Sequence, residues 1–424
     1  MKTEIEIAKL RFSVPQEEIE KSILEILSAK RIHKNSLIII PSKKFEELNV
    51  YKDSIQSISV GNVIEKYDSS STKFFYYEFS DHIEPEIELI ESHEEEQINA
   101  STHWILPNKQ INGLWESLIY DNNLKEDLLD FAKTMLLFSN MNVDQNIISC
   151  NRIILLHGLP GTGKTSLAKA LAQKLSIQLN DKYFHTHLFE INSHSLFSKW
   201  FSESAKLIQK MFQQIQEVIE IPSSLVVILI DEVESIAFAR GNIATNEPSD
   251  SVRVVNAVLT QLDKIKKYPN VLIITTSNLT KSIDLAFLDR ADIVRFLENP
   301  STNAIYRIIS SAIVELASKG LIIEKNEENG NKDEFSISIF ENNERLRDIE
   351  KFPSLSNIMI QICQEAVGIS GRGLRKLPFL AHALFLKKES ATLREFLIAM
   401  RYAIDSVKKN NENIGQFNQI KEFQ

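Results

Sequence analysis

The sequence predicts an α/β fold: a parallel-sheet core with helices on both faces, a small α+β domain before it and a small helical domain after it. Three observations predict the core. Gly158-Leu159-Pro160-Gly161-Thr162-Gly163-Lys164-Thr165 fits G-x-x-x-x-G-K-[ST], with the apolar run Ile153-Ile154-Leu155-Leu156 before it and a helical pattern from Ser166 to Ala172 after it. Ser224-Leu225-Val226-Val227-Ile228-Leu229-Ile230 is a second apolar run, and it ends in Asp231-Glu232. Val271 to Asn278 is a third, with a polar tip. Strands covered on both faces are apolar throughout, and open α/β sheets bind ligands beyond the carboxyl ends of their strands.

The first hundred residues hold the α+β unit. Thr3 to Phe12 alternates loosely and reads as a strand. Ser13, Pro15 and Gln16 give a helix-start signal, and Ile19, Ile23, Leu24 and Leu27 form one helical stripe. Leu37-Ile38-Ile39-Ile40 and Phe74 to Phe79 are further strand candidates. No catalytic constellation occurs here, which leaves a substrate- or adaptor-binding module and a structural cap as equal readings. Glu84 to Glu96 carries seven glutamates and reads as a solvated edge leading into a linker, or as a docking surface for a basic segment. The expected domains are 1–100, 101–299 and 300–424.

Within the core, Leu114 to Tyr120 either covers an adenine ring or packs as an entry segment. The P-loop glycines let successive N–H groups point at phosphate oxygens at a helix N-terminus. Gly158 through Ser166 are therefore the expected nucleotide-binding residues; Lys164 reaches the β- and γ-phosphates and Thr165 ligates Mg²⁺. His185 and His187 lie two apart on a strand, and without further ligands nearby they read as structural. Ser193 to Ser204 sets Phe197, Trp200 and Phe201 among serines; it is either a hydrophobic staple or a loop that grips an extended peptide in a central pore. Arg240 to Asp250 is a second polar loop. Asp231 is expected to hold Mg²⁺ and Glu232 to deprotonate the attacking water, so the motif pair predicts hydrolysis of a bound trinucleotide. Asn278 is placed to hydrogen-bond the γ-phosphate or the water. Arg290 is either an arginine finger acting on a neighbour's nucleotide or an arginine paired with nearby acids.

The C-terminal region reads as helices from Pro300 to Ala317, around Ile358 to Ala366, and from Phe379 to Val407, with a polar tail after Lys408. Gly371-Arg372-Gly373 opens a further helix; Arg372 either reaches back to the γ-phosphate or is a basic surface start.

Composition sets the class. The chain has 424 residues, is 43% hydrophobic and 25% charged, and carries a net charge of −9. That charge argues against broad contact with nucleic-acid backbones or an anionic membrane. Cys150 and Cys363 stand in no metal-like spacing and are expected to be buried, inert thiols. No secretory leader is expected, and the longest apolar run, Leu225 to Ile230, is too short to cross a bilayer.

The segments LLHGLPGTGKTSLAKALAQKL, EINSHSLFSKWFSES, LIDEVESIAFAR, EPSDSVRVVNAVLTQLD, TTSNLTKSIDLAFLDRADI and SGRGLRKLPFLAHAL resemble the pachytene checkpoint protein 2 family of AAA+ ATPases. The resemblance covers about residues 105 to 390. It implies a homo-hexameric ATPase using ATP and Mg²⁺ to remodel HORMA-domain proteins of the spindle checkpoint and meiotic axis, with a HORMA-like adaptor. It implies a place in nucleus and cytoplasm, including meiotic chromosomes and kinetochores. By position it makes Trp200 and Phe201 the pore-loop aromatics, Asn278 sensor 1, Arg290 the finger and Arg372 sensor 2. The alternatives are a nucleotide-dependent assembly scaffold and a nucleic-acid-associated motor.

Overall fold

Apolar runs and helical stripes at these spacings fold into two compact units, described in a computed structural model. It describes residues 3–10, 15–29, 35–42, 45–61, 72–82, 84–91, 97–192, 204–234, 248–278, 285–323, 336–342 and 345–422. The first unit is 1–118, 125–158 and 164–296; the second is 119–124, 159–163 and 297–424.

The first unit opens with β1 (Thr3–Lys9), α1 (Gln16–Ala29), β2 (Ser36–Ile39), β3 (Ile55–Val60) and β4 (Thr72–Tyr77). The strands form a sheet in the order β2-β3-β1-β4, in which β1 runs antiparallel to β3 and parallel to β4. The stripe Ile19, Ile23 and Leu27 is buried against Ile5, Ile7, Ile38, Ile58 and Val60. The acidic stretch, expected as a solvated edge and linker, carries β5 (Glu86–Glu91), which pairs antiparallel with β6 (Gln97–Leu106) from Glu86↔His103 to Glu91↔Gln97. Glu86 to Leu89 alternates acid and aliphatic, the period of a strand, but the high charge and the break at Leu89-Ile90, beside a register shift at Glu88/Leu89, obscure that alternation.

Short α2 (Leu114–Ser117) and α3 (Leu124–Asn140) lead to the core: β7 (Ile153–Gly158), α4 (Lys164–Gln178), β8 (His185–Asn192), α5 (Ser204–Ile219), β9 (Ser224–Asp231), α6 (Pro248–Ile265), β10 (Val271–Ser277), α7 (Leu285–Arg290) and β11 (Ile293–Leu297). The sheet order is β11-β7-β10-β9-β8-β6-β5. The pairs β8–β9, β9–β10 and β10–β7 are parallel, while β6 joins β8 antiparallel. Val226, Ile228, Ile230 and Ile273 bury one face against Phe212, Ile215, Leu262 and Ile265 of α5 and α6. The alternating residues Leu225, Val227, Leu229, Leu272 and Ile274 are equally buried and face the other side.

Arg152, 1% exposed, anchors the foot of β7: its guanidinium donates to Val271 O at 3.1 Å, Ser139 Oγ at 2.8 Å and Tyr268 O at 3.0 Å, and to Lys266 O. Asp292 accepts the N–H groups of Asn151 and Ile153, each at 2.9 Å.

The second unit is helical: α8 (Thr302–Ser318), α9 (Ser338–Asn342), α10 (Pro353–Glu365), α11 (Gly371–Leu380) and α12 (Leu393–Glu422), with a two-residue parallel ladder between β12 (Ile322–Ile323) and β13 (Ala391–Thr392). Ile305, Ile309, Leu355, Met359, Leu374, Leu377, Phe396 and Met400 form its core. The polar tail expected after Lys408 continues α12 to Glu422, since no proline interrupts the hydrogen-bonded ladder there. Cys363 is buried, and burial pushes its thiol up to about 12. Cys150 departs from the expectation: it is half-buried at the approach to β7, although burial and Asp292 raise its thiol too. Among the described residues no helix is long and apolar enough to cross a membrane.

Candidate active site

Three adjacent strands end together. The registers Ser277↔His157 and Thr275↔Ile230 bring Gly158, Asp231 and Asn278 to the carboxyl edge of the sheet. β7 turns there into α4, whose first residue is Lys164. The Lys164 side chain is buried, and its Nζ donates to Gly158 O at 3.0 Å. Thr165 Oγ1 donates to Asp231 Oδ1 at 2.8 Å, and Thr276 Oγ1 binds the same carboxylate oxygen. A hydroxyl and a carboxylate oxygen at that spacing form the hard-oxygen donor set that Mg²⁺ prefers.

Glu232 follows β9 in the left-handed region, φ +57°, an uncommon conformation for a residue with a side chain. Its N–H donates to Thr276 Oγ1 at 3.1 Å, and Val233 N–H donates to Thr276 O at 2.9 Å. The Glu232 side chain is exposed at the strand tip, where Asn278 Nδ2 donates to its Oε1 at 3.1 Å. Glu234 is buried, and its Oε1 accepts Asn278 N–H at 2.9 Å.

The second unit contains Leu159 to Gly163. Gly161 has φ +80°, and a Cβ there would meet Ser370 Oγ at 2.7 Å. Arg372 N–H donates to Gly161 O at 3.0 Å, so the backbone of the Gly-Arg-Gly segment is tied to the phosphate loop. Thr162 Oγ1 donates to Leu159 O at 2.9 Å, and Tyr120 Oη donates to Thr162 O at 3.3 Å. Of the entry segment, Trp115 is buried in the first unit beside Lys125 and Lys174, while Ile119 packs in the helical core. In the first unit, the N-terminus of α4 with the buried Lys164 ammonium at its start fits the phosphates of a nucleotide.

Arg290 pairs with Asp263 of α6, Nη2 to Oδ2 at 3.1 Å. Trp200 and Phe201, and most of the Arg240 to Asp250 loop, lie outside the described residues. His187 meets His103 across β8 and β6, ring nitrogens 2.9 Å apart, and His103 stacks on Phe189. Among the described residues no group of three metal-ligating side chains occurs.

Sequence reasoning missed Thr276 and Glu234. A signal for Thr276 existed: hydroxyls in a strand apolar on both faces must find partners. None existed for Glu234, which reads as an ordinary acid after the strand.

A family model for the ATPase family associated with various cellular activities (AAA) matches residues 154–299, and one for the TRIP13-like, AAA+ ATPase lid C-terminal domain matches 301–408. The chain is 46% identical over 407 residues to the pachytene checkpoint protein 2 homolog of Gallus gallus, covering 94% of this chain and 91% of the relative. The Homo sapiens homolog is 49% identical over 325 residues, 76% of this chain and 73% of the relative. Among solved structures, C. elegans PCH-2 superposes with a TM-score of 0.73 at 33% identity, covering 96% of this chain and 99% of that one. A chain in the structure of the E. coli MS115-1 HORMA:CdnC:Trip13 complex shares the fold, with a TM-score of 0.51 at 14% identity over 71% of this chain and 94% of that one.

Proposed function

Because this chain belongs to the pachytene checkpoint protein 2 family, with an AAA ATPase core and a TRIP13-like lid, we propose that it is a hexameric remodeller that uses ATP hydrolysis to unfold part of a HORMA-domain protein. The observation that carries the chemistry is the Glu232–Asn278 contact beside the Thr165–Asp231 pair.

Bound Mg²⁺–ATP supplies the phosphoanhydride that is broken. Lys164 is proposed to hold the β- and γ-phosphates, with the backbone of Gly158 to Gly163 and the helix start at Thr165 and Ser166 around them. Thr165 and Asp231 hold the cation. Glu232 takes the proton of the attacking water, and Asn278 orients that carboxylate. Arg290 serves a neighbouring subunit, and Arg372 reports the nucleotide to the lid. Trp200 and Phe201 grip the substrate segment.

A solved structure that shares the fold is of a HORMA:CdnC:Trip13 complex, and this supports a HORMA-domain substrate here. The relatives' name supports a place in meiosis; a HORMA-like adaptor at the N-terminal domain (1–100), a spindle-checkpoint role, and residence in nucleus and cytoplasm, including meiotic chromosomes and kinetochores, are further parts of the proposal. Direct nucleic-acid and membrane contact are outside the proposal, in line with the net charge of −9.

The test is a pull-down with Glu232→Gln held in ATP. The variant should bind nucleotide, turn over at least about a hundredfold more slowly, and co-purify a HORMA-domain protein. Turnover at the wild-type rate would remove Glu232 from its role. Normal trapping without any HORMA-domain partner would overturn the substrate.

A further inference from the structure

Just past the tip of β9 stands a third acid, which the hydrolytic reading does not use. Glu234 is 7% exposed, and among the described residues it has one hydrogen bond, from Asn278 N–H to Oε1 at 2.9 Å. Its Oε2 is buried and has no hydrogen-bond partner among the described residues. A carboxylate so placed costs stability relative to an apolar side chain. Its one bond goes to the residue that holds Glu232.

The strand pairing shows what that bond does. The β9–β10 register ends at Thr275↔Ile230, because the backbone turns left-handed at Glu232 and leaves the sheet. Beyond that point Val233 N–H still reaches Thr276 O at 2.9 Å. Asn278 lies past the last residue of β10, and its N–H finds the Glu234 carboxylate instead of a strand carbonyl. Glu234 thus lengthens the ladder by one side-chain rung. Asn278 is gripped twice by the same tip: its backbone by Glu234, and its side-chain amide by Glu232 Oε1 at 3.1 Å.

We propose that Glu234 is a positioning residue for ATP hydrolysis: it fixes the backbone of Asn278 so that the Asn278 amide holds the Glu232 carboxylate in its working orientation. The inference rests on the roles proposed above for Glu232 and Asn278. In this reading Glu234 acts through Asn278. Moving Asn278 by even about 1 Å would misalign Glu232, an error of the size that costs about a hundredfold in rate.

Steady-state ATPase kinetics and fluorescent-nucleotide binding on the full chain test it, with Glu234→Ala, Glu234→Gln, Glu234→Asp, Asn278→Ala and the double variant Glu234→Ala/Asn278→Ala. Glu234→Ala should lower kcat about ten- to a hundredfold while nucleotide affinity stays within about threefold. Glu234→Gln keeps a carbonyl oxygen for the Asn278 N–H and should stay within about threefold of wild type. The double variant should be no slower than Asn278→Ala, since one residue acts through the other. Should Glu234→Ala not fold, Glu234→Asp retains the charge but falls one methylene short of the N–H, and should show the same kcat loss with an unchanged melting temperature. A kcat within about twofold of wild type in these shortened variants, an equal loss in nucleotide affinity, or multiplicative effects in the double variant would each overturn the inference. Failure of the base reading is separate, since it appears as wild-type turnover in Glu232→Gln.

Discussion

At the scale of single residues, backbone conformation decides which side chains the site tolerates. Gly161 combines φ +80° with a close approach to Ser370, where a Cβ would lie 2.7 Å from Oγ. Gly161→Ala therefore adds both a left-handed alanine and a clash. It should destabilise the chain by about 1–3 kcal/mol and weaken nucleotide binding, read by thermal melting with and without ATP. The His103–His187 pair is a second residue-scale feature. Burial, then the charges of His103 and His185, lowers His187 to about 4, and burial also lowers His103. Both rings are thus held neutral in the fold while an unfolded histidine still titrates near 6.5. The unfolded chain binds more protons between about pH 6.5 and 4, so stability is lost as pH falls through that window. The loss should be on the order of 1–3 kcal/mol, since the rings keep partial exposure. A melting series from pH 7.5 to 4.5 should show a slope that flattens in His187→Asn.

At the scale of elements, the P-loop helix does more than present Lys164. One side of α4 is polar and buried. Gln173 exchanges two hydrogen bonds of 2.9 Å with the Asn108 backbone, and Gln178 Nε2 donates to Glu4 Oε2 at 3.0 Å and Glu6 Oε1 at 2.9 Å. Lys174, 5% exposed, bridges Glu6 of β1 and Glu116 of α2, the latter at 2.8 Å. One ammonium cannot neutralise two carboxylates. Burial raises Glu6 despite Lys174, whereas Lys174 and the Ser59 hydroxyl outweigh burial at Glu116 and lower it. Lys174→Met strands two buried carboxylates and should cost about 3–5 kcal/mol. Adding Glu6→Gln and Glu116→Gln should recover part of it, and a triple variant melting no higher than Lys174→Met would refute this account. The face of Leu167, Ala170 and Leu171, all three buried, was legible in the sequence. The polar register with the N-terminal sheet was not, because its partners lie more than 100 residues away.

At the scale of the whole molecule, the proposed ring gives Arg290 its meaning. Its partner Asp263 is 38% exposed and Arg290 itself 29%, and an ion pair so open is worth about 0.2–1 kcal/mol. The Asp263 pair by itself therefore holds the guanidinium only weakly. Arg290→Ala should lower ATPase activity of assembled rings. Mixing it with Lys164→Ala should restore part of the activity, because a mixed interface pairs an intact phosphate loop with an intact arginine. A mixture no more active than the sum of its parts would refute action in trans.

The sequence by itself determined the α/β core, the phosphate loop and the acids at the end of β9, because each rests on a local pattern: an apolar run, a fixed spacing or a strand tip. The lid was legible for the same reason as a series of helical segments, but the faces that form its core were not. Tertiary structure alone decided that the acidic stretch joins the large sheet as β5, that Arg290 meets Asp263, and that Lys174 carries two carboxylates. It also decided that Glu234 completes a ladder the backbone abandons at Glu232. These contacts join segments distant in the chain, and hydrogen bonds between such segments leave no period for a sequence to display.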